Sequence, residues 1–205
     1  MVDRTKYMSD QELAQLRETT RAQGSPVEWL LVDLATQTGL RVGELASLVP
    51  QSFDLDSGFL RVVRSKKRRS PGIAPKPDTL SMSASLVAHV REYLANARPR
   101  AGVQPPTPEL WSGQRGSLGP QGLQQTWHRC CRRAGLVWRN PVGNGRVYGC
   151  SIHSARHTLA VRMLRKSGNL RMVQKQLGHS SPVITANSYA DVTHEQMAGT
   201  LDELF

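Results

Sequence analysis

The sequence predicts an α+β domain that is mainly α, with one small antiparallel β-sheet. Three observations predict it. Apolar residues recur at helical spacing through most of the 205 residues. One segment, Phe59-Leu-Arg-Val-Val63, is β-prone and follows the turn signal Asp56-Ser-Gly58. Hydrophobic residues make up 39% of the chain, enough for a core, and no run of them approaches the ~20 residues that a membrane span requires.

The elements follow in order. Ser9 and Glu12 form a capping-box signature, so a helix starts there with Leu13 and Leu16 on its apolar face. Pro26 opens a second helix whose dense apolar run (Trp29, Leu30, Val32, Leu34, Ala35) makes it central, and it ends near Gly39. Arg41 to Leu48 reads as a third helix, stopped by Pro50. After the strand at 59–63 comes a basic stretch with Pro71, Gly72, Pro75 and Pro77, which reads as a loop. Thr79 to Met82 is the candidate returning strand. Ser83 to Ala97 is helical, with Leu86, Val87, Val90 and Leu94 in phase. Pro99 to Gly119 reads as a linker or long surface loop, and Gln121 to Ala134 as a strongly basic helix. Trp138 to Gly149 reads as irregular. Ser151 to Ser167, Leu170 to Leu177 and Pro182 to Tyr189 are three successive helices punctuated by Gly168 and Gly178, and Thr193 to Leu204 is a short terminal helix.

Charge narrows the function. Lys and Arg number 27 against 16 Asp and Glu, a net +11. From Leu110 to Ala190 there is no acid, while twelve Arg or Lys fall there. A second acid-free block, Arg61 to Lys76, contains Arg64, Lys66, Lys67, Arg68 and Arg69. A field this segregated suits a polyanion, because neutralising phosphates releases condensed counterions. It also argues against a two-metal nuclease, whose ions need clustered carboxylates. Cys130, Cys131 and Cys150 lack CxxC spacing and read as free thiols. The N-terminal residues lack a signal-peptide pattern, so the expected location is the cytosol.

The sharpest motif is Ser151-Ile-His-Ser-Ala-Arg-His-Thr158. His153 and Arg156 are three apart, share one helix face, and lie in a first turn where unpaired N–H groups favour an anion. An imidazole beside a guanidinium fork suits a phosphate. A competing reading is zinc, since His153 and His157 are spaced i, i+4 and Cys150 precedes them; the HExxH glutamate is missing. Two further segments carry polar groups: Thr38-Gly-Leu-Arg-Val-Gly-Glu-Leu45, and Leu177-Gly-His-Ser-Ser181 with Tyr189 ten residues past His179.

Together, TGLRVGEL, a basic β-hairpin, HxxRHT and LGHSS followed by a tyrosine resemble the tyrosine recombinase family, in the family's order, from about Ser9 to the C-terminus. The resemblance implies the DNA breaking-rejoining catalytic fold as a single domain over 1–205, without an N-terminal DNA-clamping domain, either as a fragment of a longer integrase or as a minimal recombinase similar to the short fimbrial-switch invertases. By position it implies that Arg41 and Arg156 clamp the scissile phosphate, that His153 handles the nucleophile's proton, that His179 hydrogen-bonds the phosphate, and that Tyr189 is the nucleophile. Glu44 and His157 take supporting places. The family's lysine lies in a β-hairpin turn about 25 residues after the first arginine; Lys66 is 25 after Arg41, with Lys67 and Lys76 as alternatives.

The implied activity is cutting and rejoining DNA through a 3′-phosphotyrosine, with no metal, ATP or other cofactor. The expected partner is double-stranded DNA, contacted by Arg64, Lys67, Arg68, Arg69, Arg129, Arg132 and Arg133. The family's habit implies a monomer in solution and a tetramer on DNA that exchanges the C-terminal segment. Type IB topoisomerase activity, or DNA binding without catalysis on the same fold, are the alternatives.

Overall fold

The structure, a computed structural model, describes residues 7–64, 77–97, 110–113, 116–139, 146–148 and 150–178. Its centre is helix α2 (Pro26–Thr38), against which α1 (Asp10–Gln23), α4 (Ala84–Glu92), α5 (Pro120–Arg133) and α6 (Ile152–Ser167) all pack. Leu30, Leu31, Val32 and Leu34 are fully buried around its whole circumference, each stabilising the fold by roughly 1.5–3 kcal/mol relative to exposure. Two short helices complete the frame, α3 (Val42–Ala46) and α7 (Leu170–Leu177).

The helix starts are local chemistry. Ser9 with Glu12, and Ser25 with Glu28, form reciprocal capping boxes, with Pro26 at the first helical position. Helices α2, α6 and α7 end on Gly39, Gly168 and Gly178, all left-handed. A π-helical turn over Tyr93–Ala97 extends α4.

The central helix carries an acid, Asp33, that is satisfied from three sides. Arg17 Nη2 lies 2.6 Å from it, Gln37 Nε2 donates at 2.7 Å, and His89 Nδ1 stands 2.8 Å away. Trp29 stacks on His89, so this cluster ties α1, α2 and α4 together.

Three antiparallel strands form the sheet in the order β1 (Phe53–Asp54), β2 (Phe59–Val62), β3 (Asp78–Ser81). Leu60 pairs with both Phe53 and Leu80, and all three face the core. Phe59, Arg61, Thr79 and Ser81 face outward. Strand β1 was not expected from the sequence; two residues carry no periodicity of their own.

Two other expectations need correction. The stretch read as a linker contains a packed element near its end. Leu110 and Trp111 are fully buried, Trp111 Nε1 donates to the Leu45 carbonyl, and the hairpin β4 (Ser112–Gly113) and β5 (Gly116–Ser117) follows. The stretch read as irregular contains the hairpin β6 (Val137–Arg139) and β7 (Arg146–Tyr148). The basic loop beyond Arg64, the helix at Pro182 to Tyr189 and the terminal helix lie outside the described residues. Among the described residues, no helix is long and apolar enough to cross a membrane.

All three cysteines are free and buried. Burial pushes the Cys130 thiol up to about 11 and the Cys131 thiol further still, so neither is a ready nucleophile.

Glu28 supplies a pH-dependent clamp. Burial pushes its carboxyl up, but the Ser25 backbone N–H, Arg129 at 2.7 Å and Arg133 at 3.1 Å outweigh that and hold it down at about 2. A depressed carboxyl stabilises the fold above its unfolded value of about 4.5 and loses that contribution as pH falls toward about 2. Because Arg129 is largely exposed, the net effect is discounted to about 1–2 kcal/mol. Glu28→Gln is therefore expected to lower stability by that amount at pH 7, with the gap closing below pH 4. Urea midpoints of both proteins across pH 2–7 check this; a gap that stays constant with pH removes the clamp.

Candidate active site

Arg41 is the N-cap residue of α3, placed by the left-handed turn at Gly39 (φ 64°) that ends α2. Its backbone N–H donates to Glu44 Oε2 at 2.9 Å, and its Nη1 donates to Glu44 Oε1 at 3.0 Å. The Glu44 side chain is fully buried, while that of Arg41 is 21% exposed. A guanidinium has five N–H donors, so one bond to Glu44 orients Arg41 without saturating it.

Arg156 rises from the first two turns of α6. Its guanidinium is buried and forked: Nη1 donates to the Gly39 carbonyl and Nη2 to the Leu177 carbonyl, each at 2.7 Å. Both acceptors are helix-end carbonyls, where the dipole favours a cation. Arg156 thus closes the ends of α2 and α7 onto one point, two residues from Arg41.

The start of α6 is fixed independently. Ser151 caps it through the Ser154 N–H, and the preceding Cys150 carbonyl accepts from Trp127 Nε1 at 2.8 Å and Cys131 Sγ at 3.4 Å. His153 is exposed in the first turn of α6, one turn before Arg156, and His157, the residue after Arg156, is half-buried.

Arg64 corrects an expectation. Expected among the DNA-facing arginines, it has a side chain only 2% exposed. Nη1 donates to Glu44 Oε2 at 3.2 Å, Nε to Asp78 Oδ2 at 3.4 Å, and Nη2 to the Gln176 carbonyl at 3.0 Å. The signal was in the sequence. Leu60 and Val62 are the inward residues of β2, and the period of two continues inward to Arg64. Asp78 and the Gln176 carbonyl are further parts of the site that no motif announced, and the Gly39 and Leu177 carbonyls join it from within the two flanking motifs.

These bonds form a closed circuit: Arg41 to Glu44, Glu44 to Arg64, Arg64 to the end of α7, the end of α7 to Arg156, and Arg156 back to Gly39 beside Arg41. Cations dominate it, and the chain leaves it at Gly178 toward His179. Lys66, Lys67, Lys76, Arg68, Arg69, His179 and Tyr189 lie outside the described residues.

On α5, Arg132 is exposed, while Arg129 and Arg133 are both paired with Glu28, Arg129 with its side chain 57% exposed. An open hollow of about 610 Å³ near the β1–β2 turn is lined by Asp54, Asp56, Arg61 and Arg91 but by none of the site residues. Among the described residues, no group of three His, Cys, Asp or Glu side chains could hold a metal ion.

Comparison with known proteins gives the lineage. Tyrosine recombinase XerD of Staphylococcus saprophyticus is 26% identical over 174 residues, covering 84% of this chain and 52% of its own length. A XerC-like tyrosine recombinase of Caldanaerobacter subterraneus is 26% identical, covering 96% of this chain and 54% of its own. The chain therefore spans about half the length of the curated relatives it matches. Among solved structures, XerA recombinase superposes with a TM-score of 0.73 at 22% identity, over 95% of this chain and 64% of that one. The Tn1549 transposon integrase in complex with circular intermediate DNA gives 0.69 at 18% identity, over 95% and 66%. These likenesses establish a common fold, that of tyrosine recombinase catalytic domains. Because the model of the phage integrase family matches residues 6–196, nearly the whole chain, the chain belongs to that family.

Proposed function

We propose that this chain is the catalytic part of a site-specific DNA recombinase that cuts and rejoins strands through a covalent 3′-phosphotyrosine. The observation that carries this is the junction of Arg41 and Arg156. Residues 115 positions apart in sequence meet through Gly39 and the Glu44 circuit, one turn from an exposed His153. Two guanidinium groups so placed suit the nonbridging oxygens of one phosphodiester and offset the charge that develops on them during attack.

The reaction balances without metal or nucleotide. The Tyr189 phenolic oxygen attacks phosphorus while the bond to the 5′-oxygen breaks. A phenol has a pKa of about 10, so its proton must pass to a base, His153, within a positive field. Lys66, or its neighbour Lys67 or Lys76, gives a proton to the departing 5′-oxygen. His179 donates to the same phosphate. Glu44 and His157 support the arginine and the helix. Reversal with a different 5′-hydroxyl completes strand exchange.

The partner is double-stranded DNA, held by Lys67, Arg68, Arg69 and Arg132, with Arg129 and Arg133 meeting it from their ion pairs with Glu28. The net charge of +11 supports this, as do the DNA-bound states of two fold neighbours, XerH bound to difH substrate and the Tn1549 integrase. The protein works in the cytosol, as a monomer in solution that assembles into a tetramer on DNA by exchanging C-terminal segments.

The test is a nicked duplex carrying candidate sites, incubated with the protein in EDTA and without ATP. A covalent adduct whose DNA-bearing peptide maps to Tyr189, and which Tyr189→Phe fails to form while still binding DNA, is the expected result. An undiminished adduct in Tyr189→Phe removes that nucleophile, and the absence of any adduct in the parent removes the proposed reaction.

A further inference from the structure

We infer that Arg64 is a positioning residue for catalysis: one buried guanidinium that sets the spacing between Arg41 and Arg156. The inference rests on the recombinase reading and deepens it.

The geometry is specific. Arg64 touches three elements at once: Glu44 in α3, Asp78 at the start of β3, and the Gln176 carbonyl in α7. Glu44 is the carboxylate that orients Arg41, and it is shared, with one oxygen on Arg41 Nη1 and the other on Arg64 Nη1 and the Arg41 backbone N–H. Arg64 therefore fixes where that carboxylate can stand. At its other edge Arg64 holds the Gln176 carbonyl, next to the Leu177 carbonyl that takes Arg156. Gly178 packs on the face of the same guanidinium so closely that a Cβ there would fall 2.6 Å from Arg64 Nε. Three hydrogen bonds and this one close approach hold the guanidinium in place.

A solvated surface arginine would show none of this. A purely structural arginine needs partners, but it need not bond both the carboxylate that holds Arg41 and the carbonyl next to the one that holds Arg156. A displacement of about 1 Å in a phosphate clamp is enough to cost up to 100-fold in rate. Lysine at position 64 keeps the charge beside Glu44 but lacks the planar fork that serves three directions.

The experiment is single-turnover adduct formation on the nicked duplex by the parent, Arg64→Lys and Asp78→Asn. This assay separates position from folding. Loss of fold lowers the amplitude, the fraction of molecules able to react, whereas misplacement of the clamp lowers the rate constant of the molecules that do react. Arg64→Lys is expected to lower the rate constant by about tenfold or more, with DNA affinity within about twofold of the parent. Asp78→Asn, which loosens Arg64 without touching Glu44, is expected to lower it by about threefold with amplitude retained, and it decides the matter if the lysine variant does not fold. Unchanged rate constants, or losses confined to amplitude, overturn the positioning role while leaving the recombinase reading intact. A parent that forms no adduct overturns that reading, and the role of Arg64 falls with it.

Discussion

Arg156→Lys is expected to lower the rate of covalent adduct formation by about 10²–10³-fold and to destabilise the fold by about 1–3 kcal/mol. Both effects come from one fact of shape. The Arg156 fork reaches two carbonyls on different helices, Gly39 at the end of α2 and Leu177 at the end of α7, each at 2.7 Å. An ammonium is a point donor on a flexible stem. It can satisfy one of those carbonyls or lean between them, and in either case a buried helix-end acceptor loses its partner. The clamp suffers as well. A guanidinium sets five N–H donors in one plane, so one group can meet helix-end carbonyls and a phosphate oxygen, and lysine has no such plane. Arg156→Ala goes further and removes the cation from between two helix C-termini, so its stability loss is expected to exceed that of lysine. Chemical denaturation and single-turnover kinetics on the same preparations measure the two effects separately. A lysine variant with the parental midpoint and the parental rate defeats both claims.

What was legible in the sequence was what is local. The capping boxes at Ser9 and Ser25, the proline at the first position of α2 and the glycines after α2, α6 and α7 act over three or four residues, and each lies where the sequence places it. The central helix was legible because its apolar residues cover most of its circumference. Arg41, Glu44, His153 and Arg156 were legible through motif order, and the fold brings Arg41, Glu44 and Arg156 into one circuit of bonds.

What was hidden depends on partners far away in the chain. Strands of two or three residues, such as β1 and β4 to β7, exist because of the strand opposite and carry no period of their own. Trp111 sits in a stretch whose Pro and Gly content reads as loop, yet a core slot beside Leu45 accepts it. Counting charge placed Arg64, Arg129 and Arg133 together as DNA-facing. Counting cannot see that Glu28, about a hundred residues before Arg129, pairs with two of them, or that Glu44 and Asp78 engage the third.

Gly178→Ala is expected to cost about 2–4 kcal/mol, more than the same change at Gly39, although both glycines have φ 64°. The backbone term is common to both, about 1 kcal/mol for placing a Cβ in the left-handed region. The surroundings differ. At Gly39 the new Cβ would meet Leu177 Cδ2 at 2.7 Å and Leu159 Cδ2 at 3.1 Å, and leucine ends can rotate aside. At Gly178 it would meet Arg64 Nε at 2.6 Å and Cζ at 2.7 Å, the rigid centre of a guanidinium already held by Glu44, Asp78 and Gln176. To make room, Arg64 must give up at least one of those bonds, and a buried carboxylate or carbonyl is then left short of a donor. The two costs therefore couple. In Arg64→Lys, whose slimmer side chain opens the space over Gly178, the added cost of Gly178→Ala is expected to fall toward the backbone term alone. Denaturation midpoints for the two single variants and the double variant test this. A double variant whose loss equals the sum of the single losses shows that Gly178 and Arg64 act independently, and that the glycine is there for its φ alone.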